Sequence, residues 1–96
     1  MHPDVEPFAR AYSEKQKAFW EAQRQLDEST PRFLAADPSA ASYYAISQKH
    51  TEIFRQWIAA LQAVEDAADE LNDRAIEAAN LPPDHPLRSR QRRKRD

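Results

Sequence analysis

Apolar and aromatic residues recur at intervals of three, four and seven along the first third of the chain: Phe8, Tyr12, Phe19, Ala22 and Leu26, with Lys15 as the one polar interruption. That spacing puts them on one face of an α-helix. Start and stop signals place this first helix at about residues 5–28. Asp4 is its expected cap, Pro7 is tolerable in a first turn whose amides are unbonded anyway, and Glu6 with Arg10 has the favourable i, i+4 spacing.

The stretch STPRFLAADPSAAS holds two helix-start signals, Thr30-Pro31 and Asp37-Pro38, each a capping side chain followed by proline. The first should open one short turn within a connector at 29–38, with Phe33 and Leu34 plugging the end of the molecule. The second should open a long helix, because no proline or glycine occurs from Ser39 to Asn80. Asn80, Leu81, Pro82 and Pro83 stop it, giving a second helix at about 39–80. Its stripe reads Ile46, His50, Ile53, Trp57, Leu61, Val64, Ala68, Leu71, Ala75, Ala78, an alternation of three and four resembling a bundle or coiled-coil seam.

This pattern predicts an all-α fold: an antiparallel helical hairpin over residues 1–81 with a long second helix, followed by a flexible Pro/Arg-rich tail over 82–96. The pairing expected sets Phe19 and Trp20 near Tyr43, Tyr44 and Ile46, and Phe8 and Tyr12 near Trp57. Under those bounds the first helix runs out there. The second half of the second helix then keeps an apolar stripe that its own chain does not cover, and so short a helical segment is marginal alone in water. Leu61, Val64, Ala68, Leu71 and Ala75 are therefore expected to bind a second copy or another helical protein, as a four-helix bundle or coiled-coil-like dimer. The competing arrangement breaks the helix near Asn72-Asp73 and folds a third helix back. The aromatics are assigned to the hairpin core, except Trp20, which lies beside the stripe and is expected to face a partner.

Composition narrows the chemistry. The 96 residues include no glycine, so the phosphate-cradling loops, dinucleotide turns and nucleophile elbows that use glycine backbone are not expected. There is no cysteine either, which removes disulfides, thiolate metal sites and cysteine nucleophiles. The three histidines have no companions at metal spacing, and His50 lies on the apolar seam, where a packed imidazole is expected rather than a ligand. The carboxylates look solvated, with no pocket to raise a pKa. The expectation is a non-enzymatic interaction protein acting as an assembly, adaptor or regulatory module, with no cofactor, metal or small-molecule substrate. The amino terminus has prolines and acids where a secretory signal would be basic and then apolar, and no apolar run spans a membrane, so a soluble cytoplasmic protein is expected. The hairpin outline resembles the small WXG-type helical proteins. The connector has no Trp-x-Gly, however, and neither Tyr43 nor Tyr44 has an acid at the fourth position after it, so no family follows.

Charge is divided unevenly. The formal net charge is -2, yet residues 82–96 carry six basic and two acidic side chains, +4, leaving -6 for the rest. Arg88, Arg90, Arg92, Arg93, Lys94 and Arg95 form the basic run. It can meet the acidic band Glu65, Asp66, Asp69, Glu70, Asp73 and Glu77, or contact a polyanion, which makes a nucleic-acid-associated accessory protein the alternative function. No aromatic residue accompanies the run, so contacts would be to phosphate backbone and blind to base sequence. If all six charges meet phosphates, binding to random-sequence nucleic acid should weaken with salt at a log-log slope of about -4 to -5. A fluorescence-anisotropy salt titration checks this, and a flat response removes the polyanion reading.

Overall fold

The structure, a computed structural model, describes residues 2–90. It is an antiparallel pair of helices, α1 (Glu6–Ala35) and α2 (Tyr43–Ala79), followed by a single 3₁₀ turn, Pro86–Arg90. At about 1.5 Å per residue the 30 residues of α1 span about 45 Å and the 37 of α2 about 55 Å. The molecule is a rod of 63 × 25 × 21 Å.

The first helix does not end near residue 28. It runs through Thr30-Pro31 to Ala35. Thr30 is not a cap there: its hydroxyl donates back to the Leu26 carbonyl at 2.9 Å, within the same helix. Pro31 falls in the penultimate turn, where its missing N–H costs one hydrogen bond and the chain continues regardless. The stop comes from Pro38, which disfavours helical geometry at Asp37. Ala36 is already extended, with φ -69° and ψ 136°.

Asp37-Pro38 likewise opens a turn rather than the second helix. The Asp37 carboxylate accepts from the Ser39 backbone N–H at 3.0 Å and from the Ser39 hydroxyl at 2.8 Å, and these two bonds hold its pKa below the ordinary aspartate value. Any stability they lend is present at neutral pH and is lost as pH falls through that lowered pKa. The α2 helix begins four residues later than expected, at Tyr43. It ends at Asn80, whose φ of 52° and ψ of 47° are left-handed, with its N–H bonded to the Glu77 carbonyl. Left-handed C-terminal positions are usually glycine, and asparagine is the next best residue for a chain that has none.

These shifts bring the two rods close to equal length, and the pairing register follows. Ser29 bonds to His50, Gln23 to Trp57, and Arg74 stacks over Phe8. Steps back along α1 thus match nearly equal steps forward along α2, so a residue n of α1 lies at the level of about residue 80 - n of α2. Phe8 and Tyr12 do not reach Trp57; Phe19 does, with ring centroids 6.0 Å apart. Phe33, rather than Phe19 or Trp20, meets Tyr43. Leu34 does not plug the end, being 75% exposed.

The expected uncovered stripe is consequently lined by α1 of the same chain. Leu61, Val64, Ala68 and Leu71 are half-buried, whereas Ala75 is exposed. The helix continues unbroken through Asn72-Asp73, so there is no third helix folding back over it. Only Val5 (7% exposed) and Ile76 (4%) are buried among the described apolar residues, and the register sets them at one level at the open end.

Beyond α2 the chain is not uniformly irregular. The Arg88 guanidinium donates twice to the Leu81 carbonyl, at 2.8 and 3.1 Å, tying the 3₁₀ turn to the end of the helix. Arg92, Arg93, Lys94 and Arg95 lie outside the described residues. No helix among the described residues is long and apolar enough to cross a membrane.

With so little fully buried, Ile76 should matter disproportionately. Ile76→Ala should cost about 2–4 kcal/mol, a large share of what a domain of this size holds. Urea unfolding followed by circular dichroism measures it.

Candidate functional site

Four rings form a continuous chain across the middle of the hairpin. Trp20 meets Phe19 edge-on at 5.6 Å, Phe19 meets Trp57 at 6.0 Å, and Trp57 stacks on Phe54 at 5.9 Å. The two inner rings, Phe19 and Trp57, sit on the seam and are half-buried. Both outer rings are open to solvent: Trp20 is 64% exposed and Phe54 44%, with Ile58 beside them at 37%.

Helix geometry decides whether these ends share a face. Successive residues turn by about 100°. Trp20 is one step past Phe19, and Ile58 is one step past Trp57. Phe54, three residues before Trp57, lies about 60° round in the same sense. In an antiparallel pair, equal rotations seen from each helix's own amino terminus lead to the same flank. Trp20, Phe54 and Ile58 therefore open on one flank of the rod.

Polar satisfaction separates the two tryptophans. The Trp57 indole N–H donates to the Gln23 side-chain carbonyl at 2.8 Å, bonding α2 to α1 across the seam. The Trp20 indole makes no hydrogen bond among the described residues. One indole is thus tied into the hairpin, while the other presents a large apolar surface and an open donor, the combination seen at interface hot spots.

Several charged side chains pair with one another along the outer side. On the outer side of α1, Arg24 bridges Glu21 and Glu28, raising the Arg24 pKa and lowering that of Glu21, the latter chiefly through the Arg24 hydrogen bond. Glu6 and Arg10 pair at 2.9 Å as their spacing predicts. Such exposed pairs contribute little to stability, but they keep the outer surface hydrated.

Two further features flank the aromatic chain. At the loop end the His50 ring stacks on Phe33, with centroids 4.6 Å apart and planes 3° from parallel, and its Nδ1 meets the Ser29 hydroxyl at 2.9 Å. His50 is a packed imidazole, as its place on the seam implies. At the open end, Pro3, Pro7, Phe8, Arg74 and Glu77 line an open cleft of about 480 Å³. Arg74 lies 4.9 Å over the Phe8 ring and pairs with Glu70 at 3.1 Å and Glu77 at 3.5 Å, so its charge is already engaged. No group of three or more His, Asp or Glu among the described residues is placed to hold a metal ion.

Of the residues expected to bind a partner, Trp20 is the one the structure leaves largely open. Leu61, Val64, Ala68 and Leu71 are engaged in the seam, and Ala75 offers only a methyl group. Phe54 and Ile58 belong to the face, whereas the sequence reading assigned Phe54 with the other aromatics to the hairpin core. Their signal was a widening of the apolar stripe in the first half of α2, which a longer and better-matched α1 turns from core into surface. The basic residues are not gathered with this face: Arg88 is spent on the Leu81 carbonyl, and the side chain of Arg90 and all of 91–96 lie outside what the structure describes.

The Gln23–Trp57 bond can be tested directly. Gln23→Ala should destabilise the hairpin by about 1 kcal/mol through an unpaired, half-buried indole N–H, and the cost should shrink in a Trp57→Phe background. A double-mutant cycle by urea unfolding reads that coupling. Comparison with protein-family models, with curated proteins and with solved structures gave no match, so any function must be argued from the face itself.

Proposed function

We propose that the protein is a non-enzymatic interaction module, an assembly, adaptor or regulatory protein that works by packing the Trp20–Phe54–Ile58 flank against another helical surface. The observation that carries this reading is the four-ring chain, whose inner members hold the hairpin together while its outer members stand in water. Leaving Trp20 and Phe54 solvated forfeits much of the roughly 25 cal/mol per Å² that their apolar area could contribute. The hairpin fold does not require it, since the seam is made by Phe19, Trp57 and their neighbours. Large exposed apolar side chains grouped on one flank mark a protein-interaction surface.

The mode is that of one helical surface laid on another, with residues at i, i+4 spacing as anchors; Phe54 and Ile58 have that spacing on α2. On this reading the binding surface lies at the middle of the rod and not along the second half of α2.

Crosslinking in cells that produce the chain tests the reading. The wild type should give covalent adducts with protein. The Trp20→Ser/Phe54→Ser variant should keep its helical circular dichroism and lose most of them. Equal adducts from both would remove the face from the account.

A further inference from the structure

We infer that the occupant of this flank is a second copy of the same chain, packed antiparallel across a two-fold axis that passes by Trp20, to make a four-helix bundle. The inference rests on the interaction reading above and names its partner.

The first argument is area. A compact folded chain of 11.1 kDa should expose about 5,700 Å², whereas this one exposes 7551 Å². Even when the last six residues are counted at the full accessibility of an unfolded chain, roughly 1,000 Å² of excess is left. A stable protein–protein interface takes about 800 Å² from each partner. The 63 × 25 Å outline of the rod is large enough to hold such an interface, and with no described side chain below 2% exposure the chain has much to gain from it.

The second argument is position. Trp20 is the fifteenth of the thirty residues of α1, and the register sets it level with residue 60, close to the middle of α2. In a two-fold interface the residues beside the axis meet their own copies. An axis at mid-rod and across it reverses one hairpin over the other along its whole length. Were the apolar patch at either end, the same pairing would leave half of each rod overhanging.

The third argument is charge. Self-pairing brings every charge near the axis against its own kind. The neighbours one turn from Trp20 are Gln16, Lys17, Gln23 and Arg24, and Thr51 and Gln62 lie beside Ile58. The two-fold sets Lys17 level with Gln23 of the second copy and Arg24 level with Gln16 of the second copy, so neither cation meets its own kind. Two turns out on the same flank stand Asp27 and Glu65. The two-fold sets Asp27 level with Ser13 of the second copy, and Glu65 level with Arg55 of the second copy, so no like charges oppose. In this arrangement α1 packs on α1 and α2 on α2, and every neighbouring pair of helices in the bundle is antiparallel.

Light scattering on the purified full chain, at low and high salt, decides the matter. The wild type should show twice the 11.1 kDa mass in both. Trp20→Glu and Trp20→Lys should each be monomeric, with the dissociation constant raised about 100-fold or more, because each new charge faces itself. An equimolar mixture of the two should return to the dimer mass, a rescue that a merely structural role for Trp20 would not give. Ile58→Glu should also be monomeric, which covers the case of a Trp20 variant failing to fold. A wild-type monomer at all concentrations, a dimer that survives Trp20→Glu, or folded variants that associate no better mixed than alone would each overturn the inference. If the purified chain is monomeric while Trp20-dependent adducts persist in cells, self-pairing falls and the interaction reading stands. Loss of both takes both down.

Discussion

A helix with one neighbour can hide only the side chains that point at it. Two helices give a seam and no interior, and the rest of this protein follows from that constraint. Phe19, Leu26, Ile53, Trp57, Val64 and Leu71 all lie on the seam, and all remain half-exposed at its edges. Among the described residues the buried apolar side chains, Val5 and Ile76, both lie at the open end. The hairpin therefore depends on directional contacts along the seam: the Trp57–Gln23 bond, the His50–Ser29 bond and the Arg74–Phe8 stack. Each fixes the register at a different level of the rod.

The same constraint accounts for the aromatic flank. When a seam is thin, bulky rings widen it, and a ring wide enough to bridge two helices protrudes on one side. Phe19 and Trp57 serve the fold in this way. Trp20 and Phe54 extend the chain of rings past what the fold can use. Their exposure is a cost to the isolated hairpin and the observation on which the proposed association rests.

Much of the architecture was legible in residue spacing. Two helices, their antiparallel order, the stop at Asn80 and the packed state of His50 all follow from periodicity and from the absence of glycine. What periodicity could not supply was the continuation of α1 through Thr30-Pro31. Threonine before proline is a good cap in isolation, but here the threonine hydroxyl bonds backward to Leu26, and packing of Phe33 against Tyr43 and His50 repays the missing amide. Those seven extra residues shifted the register and covered the stripe that had seemed unpartnered. The proposed contact face accordingly lies at the middle of both helices and not at the end of α2. The basic run was plain in the sequence; of its members Arg88 is tied locally, to the Leu81 carbonyl.

The evenness of the register has a kinetic side. Phe33 and Tyr43 are separated by a short connector, whereas Phe8 and Arg74 are brought together across nearly the whole chain. Contacts beside the connector close small loops, and each further pair closes a loop only slightly longer than the last. A chain built this way should zip from the connector outward, with the aromatic rings of Phe33, Tyr43 and His50 as its starting clasp and Ile76 as the final tooth.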